Sequence, residues 1–249
     1  MSGHSKWATI KHKKAAVDKA RGKLFAKVLR QVEVAARDGG GDLETNPTLR
    51  TMYQKARDAS IPVDTIDRAI KRGTGDLEGV TYEQVTYEGY APGGVAVMIE
   101  CLTDNRNRTG ADIRNLFTRN GGSMAEPGAV AWQFDRKGTV LVARSVDEEE
   151  LMLAALDAGA EDITDDGEAW RVTTPPTQLQ AVRTALDEAG IAVESADLTM
   201  VPQAMVPLET QDGAKKVLRL IDAIDEHDDV QAVYANFDIP DSILEAVEA

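Results

Sequence analysis

A chain of 249 residues exceeds the usual ~100–150 residue domain, which predicts two or three domains. Its composition, 43% hydrophobic and 28% charged, is that of globular protein, and no apolar run approaches the ~20 residues that span a bilayer. Cys101 is the only cysteine, which excludes an intramolecular disulfide and fits a reducing compartment, so a cytoplasmic location is expected.

The formal net charge of −14 argues against a nucleic-acid partner until its distribution is read. Residues 1–30 hold nine cations, Lys6, Lys11, Lys13, Lys14, Lys19, Arg21, Lys23, Lys27 and Arg30, against the single acid Asp18. That end carries +8, residues 31–75 are neutral, and the remainder carries −22. Such asymmetry points one end at a polyanion and holds the rest away from it. The longest apolar stretch before residue 30 is Leu24-Phe25-Ala26, too short for a secretory signal.

Taken in chain order, the pattern predicts a helix from about Ile10 to Arg37, with or without a break at Gly22. Phe25, Val28, Leu29, Val32 and Ala36 recur on one face, and Lys19, Lys23, Lys27 and Arg30 on another. Gly39-Gly40-Gly41 ends it. Asn46-Pro47 reads as an N-cap and first helical residue. Pro62 opens a third helix with Val63, Ile66 and Ile70 inward and Gly73 as its stop, which completes a helical domain of residues 1–75. Strands are expected at Glu83–Glu88 and Gly94–Leu102 around an Ala91-Pro92-Gly93-Gly94 turn, then a helix Arg106–Asn120 and a strand Val130–Phe134.

Residues 138–202 read as β-α-β-β-α-β, a ferredoxin-like unit. Its strands are expected at Thr139–Ala143, near Asp162, at Ala169–Thr173 and at Ile191–Val201. Its first helix opens on a Ser145/Glu148 capping box, and its second turns Leu179, Val182 and Leu186 inward. A helix carrying Ala214, Val217, Leu218, Ile221 and Ile224 follows, then a strand Val230–Phe237. The fold class expected is therefore α+β: three N-terminal helices, then two α/β domains of ferredoxin-like character. One, residues 138–202, is inserted in the other, residues 80–137 plus 203–240.

The basic opening surrounds an aromatic, Trp7, with compact cations and His12. Lysines meet phosphates as point charges and release counterions. Trp7 has two readings, stacking on an unpaired base or packing on the helices. Arg106 and Arg108 stand at the start of a helix, where free amides suit a phosphate. The other reading makes Asp104 or Asn105 an ordinary cap and pairs the arginines with nearby acids. Tyr90 to Gly94 lacks the Gly-Lys-Ser/Thr ending of a nucleotide loop and reads as a hairpin. No catalytic site, metal site or cofactor is expected: the three histidines are dispersed, Cys101 lies in an apolar strand, and Asp165-Asp166 and Asp228-Asp229 read as turns or solvated ends.

Gly3-His4-Ser5-Lys6-Trp7, Lys11-His12-Lys13-Lys14 and Arg21-Gly22-Lys23 resemble the start of the YebC/PmpR family. The resemblance continues through Tyr87 to Gly94, Thr103-Asp104-Asn105-Arg106-Asn107-Arg108-Thr109, Asp228-Asp229-Val230-Gln231 and Asn236-Phe237. It implies a three-domain α/β protein and two functional descriptions. One is a DNA-binding transcriptional regulator. The other is a ribosome-associated translation factor that relieves stalling at proline-rich sequences, to which the mitochondrial translational activator of cytochrome c oxidase is related. The partner expected is nucleic acid, DNA or ribosomal RNA, with no membrane and no small-molecule substrate. The alternative is an adaptor whose acidic lobes bind basic proteins.

Overall fold

The computed structural model describes residues 18–167 and 169–248. Helix α1 (Asp18–Gly39) runs unbroken through Gly22, and the part expected over residues 10–17 lies outside the described residues. Helices α2 (Pro47–Asp58) and α3 (Val63–Gly73) pack against it. Val28, Val32, Ala35 and Ala36 of α1 meet Leu49, Ala56, Ile66 and Ala69, with Phe25 and Leu29 at the edge of this core. One detail departs from expectation. Val63, the first residue of α3, is exposed, and Ile66 and Ala69 carry the stripe. Gly73 ends α3 as expected and is also a close approach: a Cβ there would lie 2.3 Å from the Glu33 carbonyl oxygen. Small residues at 69 and 73, one helical turn apart, are what let α3 come that near to α1.

A first sheet follows, ordered β3-β1-β2-β9. Its strands are β1 (Glu83–Tyr90), β2 (Ala96–Thr103), β3 (Ser123–Ala125) and β9 (Val230–Ala235). The β1–β2 hairpin turns at Gly93 and Gly94, whose φ values of 82° and 79° suit glycine. Helix α4 (Arg106–Arg119) buries Ile113 and Phe117. The strand expected at Val130–Phe134 is absent: residues 131–133 form a 3-10 turn, and the third strand is the three-residue β3. Three residues are too few to display an alternation in sequence.

Phe134 instead opens β4 (Phe134–Ala143), one long strand through the place where the sequence suggested a division. With α5 (Glu148–Asp157), β5 (Asp162–Asp165), β6 (Ala169–Thr174), α6 (Leu179–Glu188) and β7 (Val193–Pro202) it gives the β-α-β-β-α-β order. The sheet order β5-β6-β4-β7, with its pairings antiparallel, is ferredoxin-like. Val140, Val142, Trp170 and Val172 of the sheet face Leu151, Ala155, Val182 and Leu186 of the helices. The cap of α5 is Asp147, which accepts from the Glu149 and Glu150 amides, and not Ser145.

Helix α7 (Gln211–Asp225) buries Ala214, Val217, Leu218, Ile221 and Ile224, as its periodicity predicts. The strand expected to reach Phe237 divides at Asn236, which donates to Gln133 Oε1 and the Ala204 carbonyl. Beyond it β10 (Phe237–Asp238) pairs in parallel with β8 (Val206–Pro207), and α8 (Asp241–Glu248) follows, an element not expected from the pattern. The fold is thus α+β, with helices first and two four-stranded sheets after. The described residues form two compact units, one of 18–129 with 215–233 and one of 130–214 with 234–248. No helix among them is long and apolar enough to cross a membrane.

Asn46 concentrates the design of the helical bundle. Its Oδ1 caps α2 by accepting from Leu49 N at 3.0 Å, while Nδ2 donates to the Ala35 and Gly40 carbonyls at 2.8 Å each. It is buried, so all three bonds are sheltered from water. Asn46→Ala should cost about 2 kcal/mol in urea unfolding. Asn46→Asp, which retains the cap and loses both donors, should recover only part of that.

Candidate nucleic-acid interface

Helical spacing places Lys23, Lys27 and Arg30 on one face of α1, as the sequence predicts. The structure turns that face toward the end of α7. Lys23 Nζ donates to the Glu226 carbonyl at 3.0 Å, and Lys27 Nζ to the Asp225 carbonyl at 3.0 Å and Asp225 Oδ1 at 3.3 Å. Arg30 Nη1 donates to the Asp228 carbonyl at 2.7 Å and Asp229 Oδ1 at 3.3 Å. The last carbonyls of a helix lack intrahelical partners and carry the negative end of its dipole, so cations are stabilising there. These three side chains clamp α1 to the C-terminal end of α7. An incoming phosphate would have to share or displace them.

Asp229 is the centre of this clamp. It is 5% exposed. Its Oδ2 accepts from Arg108 Nη2 at 2.8 Å, Thr109 Oγ1 at 2.8 Å and Thr103 Oγ1 at 3.3 Å, and its carbonyl accepts from Leu102 N at 2.9 Å. Burial pulls its carboxyl upward, but hydrogen bonds from Arg108 and Thr109 and the charges of Arg108 and His227 outweigh this and hold it below the ordinary value. His227 Nδ1 accepts from Asp229 N at 3.2 Å, and its Nε2 faces Asp112 Oδ2 at 3.4 Å.

At the start of α4 the capping alternative holds. Asn105 Oδ1 accepts from Arg108 N, and Arg108 pairs with both Asp104 and Asp229. Its guanidinium is held charged by those two carboxylates, Asp229 first. Arg106 is exposed, and its carbonyl accepts from the Tyr87 hydroxyl at 3.0 Å, which ties the helix start to β1. Of the other expected contacts, Lys6, Trp7, Lys11, His12, Lys13 and Lys14 lie outside the described residues, as do the side chains of Lys19 and Arg21.

Two expectations about carboxylates are corrected. Asp229 and Asp166 are buried, neither solvated nor idle. Asp166 pairs with the half-buried Arg171, whose guanidinium is pushed down to about 10 by desolvation. Asp229 was legible only indirectly, as an acid abutting the apolar strand Val230–Ala235. Its partners Thr103 and Thr109 carry no such signal, because each is separated from it by more than a hundred residues, as Asp112 is from His227. Cys101 is fully buried, and burial, then the Asp229 charge, pushes its thiol up to about 12. Such a thiol is not a nucleophile at neutral pH.

Residues 5–76 match the TACO1/YebC protein N-terminal domain, and residues 82–237 match the TACO1/YebC second and third domain. The chain belongs to the TACO1/YebC family. Among relatives of this family is a probable transcriptional regulatory protein of Rubrobacter xylanophilus, 59% identical over 249 residues and covering 99% of each chain. Another from Thermobifida fusca is 57% identical over 246 residues, covering 98% of each. A crystal structure of a conserved hypothetical protein from Aquifex aeolicus shares the fold, with a TM-score of 0.85 and 46% identity over 92% of this chain and 95% of that one.

The clamp makes stability depend on Asp229 ionisation. Because its folded-state value is depressed, its contribution is full above the ordinary aspartate range and is lost as pH falls through the folded-state value. Asp229→Asn should therefore cost about 2 kcal/mol at pH 7 in chemical unfolding. The gap to the parent chain should close as pH is lowered below about 4.

Proposed function

We propose that this chain is a non-enzymatic, nucleic-acid-binding regulator of gene expression that contacts sugar-phosphate backbone through its Lys-rich first thirty residues. The carrying observation is the split of charge, +8 over residues 1–30 against −22 beyond residue 75. A body so anionic repels a polyanion everywhere except at its basic end. The clamp refines the roles within that end. Lys23, Lys27 and Arg30 hold α1 against the end of α7, while Lys6, Lys11, Lys13, Lys14, Lys19 and Arg21 are the proposed phosphate contacts, with His12 beside them, Trp7 as a stacking platform and Arg106 as an outlying cation. Arg108 belongs with the clamp.

The name carried by the relatives, probable transcriptional regulatory protein, supports a regulator acting on DNA. The residue types favour a second target, structured ribosomal RNA, in a translation role such as relief of stalling at proline-rich sequences. Lysines engage backbone and carry little base readout, whereas promoter recognition wants Arg, Asn or Gln at base edges. The three-domain division, residues 1–75, 80–137 with 203–240, and 138–202, fits this plan by separating the basic reader from two acidic lobes.

Filter binding across a salt series, with a promoter-length duplex and with ribosomes, tests both layers. Replacing Lys6, Lys11, Lys13 and Lys14 with alanine should weaken binding at least tenfold. The dependence of log affinity on log salt should flatten by about 0.9 per lost duplex contact, or ~0.7 on single strands. Lys23→Ala with Lys27→Ala should lower the melting temperature more than it alters that slope. An unchanged slope in the fourfold variant would refute the reading, and strong preference for one duplex over ribosomes would decide for DNA.

A further inference from the structure

The acidic ferredoxin-like sheet carries a surface that nucleic-acid binding does not use. Helix α5 buries Leu151 and Ala155 against its sheet, as an amphipathic helix should. Yet three large apolar side chains stand on the opposite side: Met152 at 42% exposure, Leu153 at 71% and Leu156 at 43%. Residues 152 and 156, and 153 and 156, are helical neighbours, so the three form one continuous stripe. Exposed single hydrophobics are ordinary, but a contiguous stripe on a helix that already has its core face marks a docking surface.

Charge selects the occupant. Glu149 stands on the same face at the head of the stripe, and Glu150 and Asp157 run along one flank, all exposed. The surrounding segment, residues 130–214, holds seventeen acids and five cations. A nucleic acid is repelled by such a surface. A second copy would set Glu149, Glu150 and Asp157 against themselves. A helix with an apolar stripe edged by lysine or arginine satisfies both the stripe and its rim.

We propose that the solvent face of α5 docks a basic amphipathic helical segment of a partner protein, with Leu153 as the central anchor. This does not depend on the nucleic-acid reading, since it lies on a different element and recognises opposite charge.

Fluorescence anisotropy on the full chain tests it with a labelled synthetic 18-residue peptide having leucine at i, i+3, i+4 and i+7 and lysine elsewhere. A peptide of the same composition with the leucines scrambled measures attraction to net charge alone, and one with glutamate for lysine keeps the apolar pattern while reversing the charge. The patterned peptide should bind at least tenfold more tightly than either control. Leu153→Glu should remove that advantage while leaving the melting temperature and the nucleic-acid salt slope unchanged, because Leu153 is outside the core. Met152→Ser with Leu156→Ser should do the same. Equal binding of patterned and scrambled peptides, or binding indifferent to Leu153→Glu, would overturn the proposal. So would self-association in sedimentation that Leu153→Glu abolishes, since that assigns the face to a second copy.

Discussion

One buried carboxylate organises the first compact unit. Asp229 receives Arg30 from α1, Arg108 and Thr109 from α4 and Thr103 from the end of β2, while its own backbone joins β2 and the His227 turn. Burial of a charge is tolerated only when hydrogen bonds replace the water it loses. Here the replacements come from three elements, α1, α4 and β2. Removing Arg30 loosens the tie of α1 to this turn, whereas removing Arg108, Thr109 or Thr103 loosens the turn from α4 and β2.

The clamp also explains why the basic helix can stand beside an acidic chain without collapsing onto it at random. Lys23 and Lys27 reach carbonyls as much as carboxylates, and those carbonyls sit at the negative end of α7. The contact is directional, so it sets an orientation for α1. The second unit has the opposite character. Its acids gather at turns and at the first turn of α5, where they suit the helix dipole, and the apolar stripe beyond them has no such local explanation.

Much of this was legible along the chain. The α1 stripe, the Asn46-Pro47 start, the β1–β2 hairpin, the α6 core residues and the α7 core residues all follow from local periodicity and turn chemistry, which short segments carry by themselves. The errors fall where signals were short or ambiguous. Ser123–Ala125 is too brief to alternate, β8 and β10 have two residues each, and the Ser145/Glu148 spacing pointed to a cap two residues before the one that α5 uses, Asp147.

By itself the sequence determined the charge division, the sites of most helices and strands, the family and the chemistry available at the basic end. Those are properties of neighbours along the chain. Tertiary structure alone decided which cations are engaged and which carboxylates are buried. Lys27 and Arg30 look like any other cations of the basic end in the sequence, and Asp229 looks like any acid at a turn. Each acquires its role from a partner that is remote in the chain and near in space, and no periodicity records that distance.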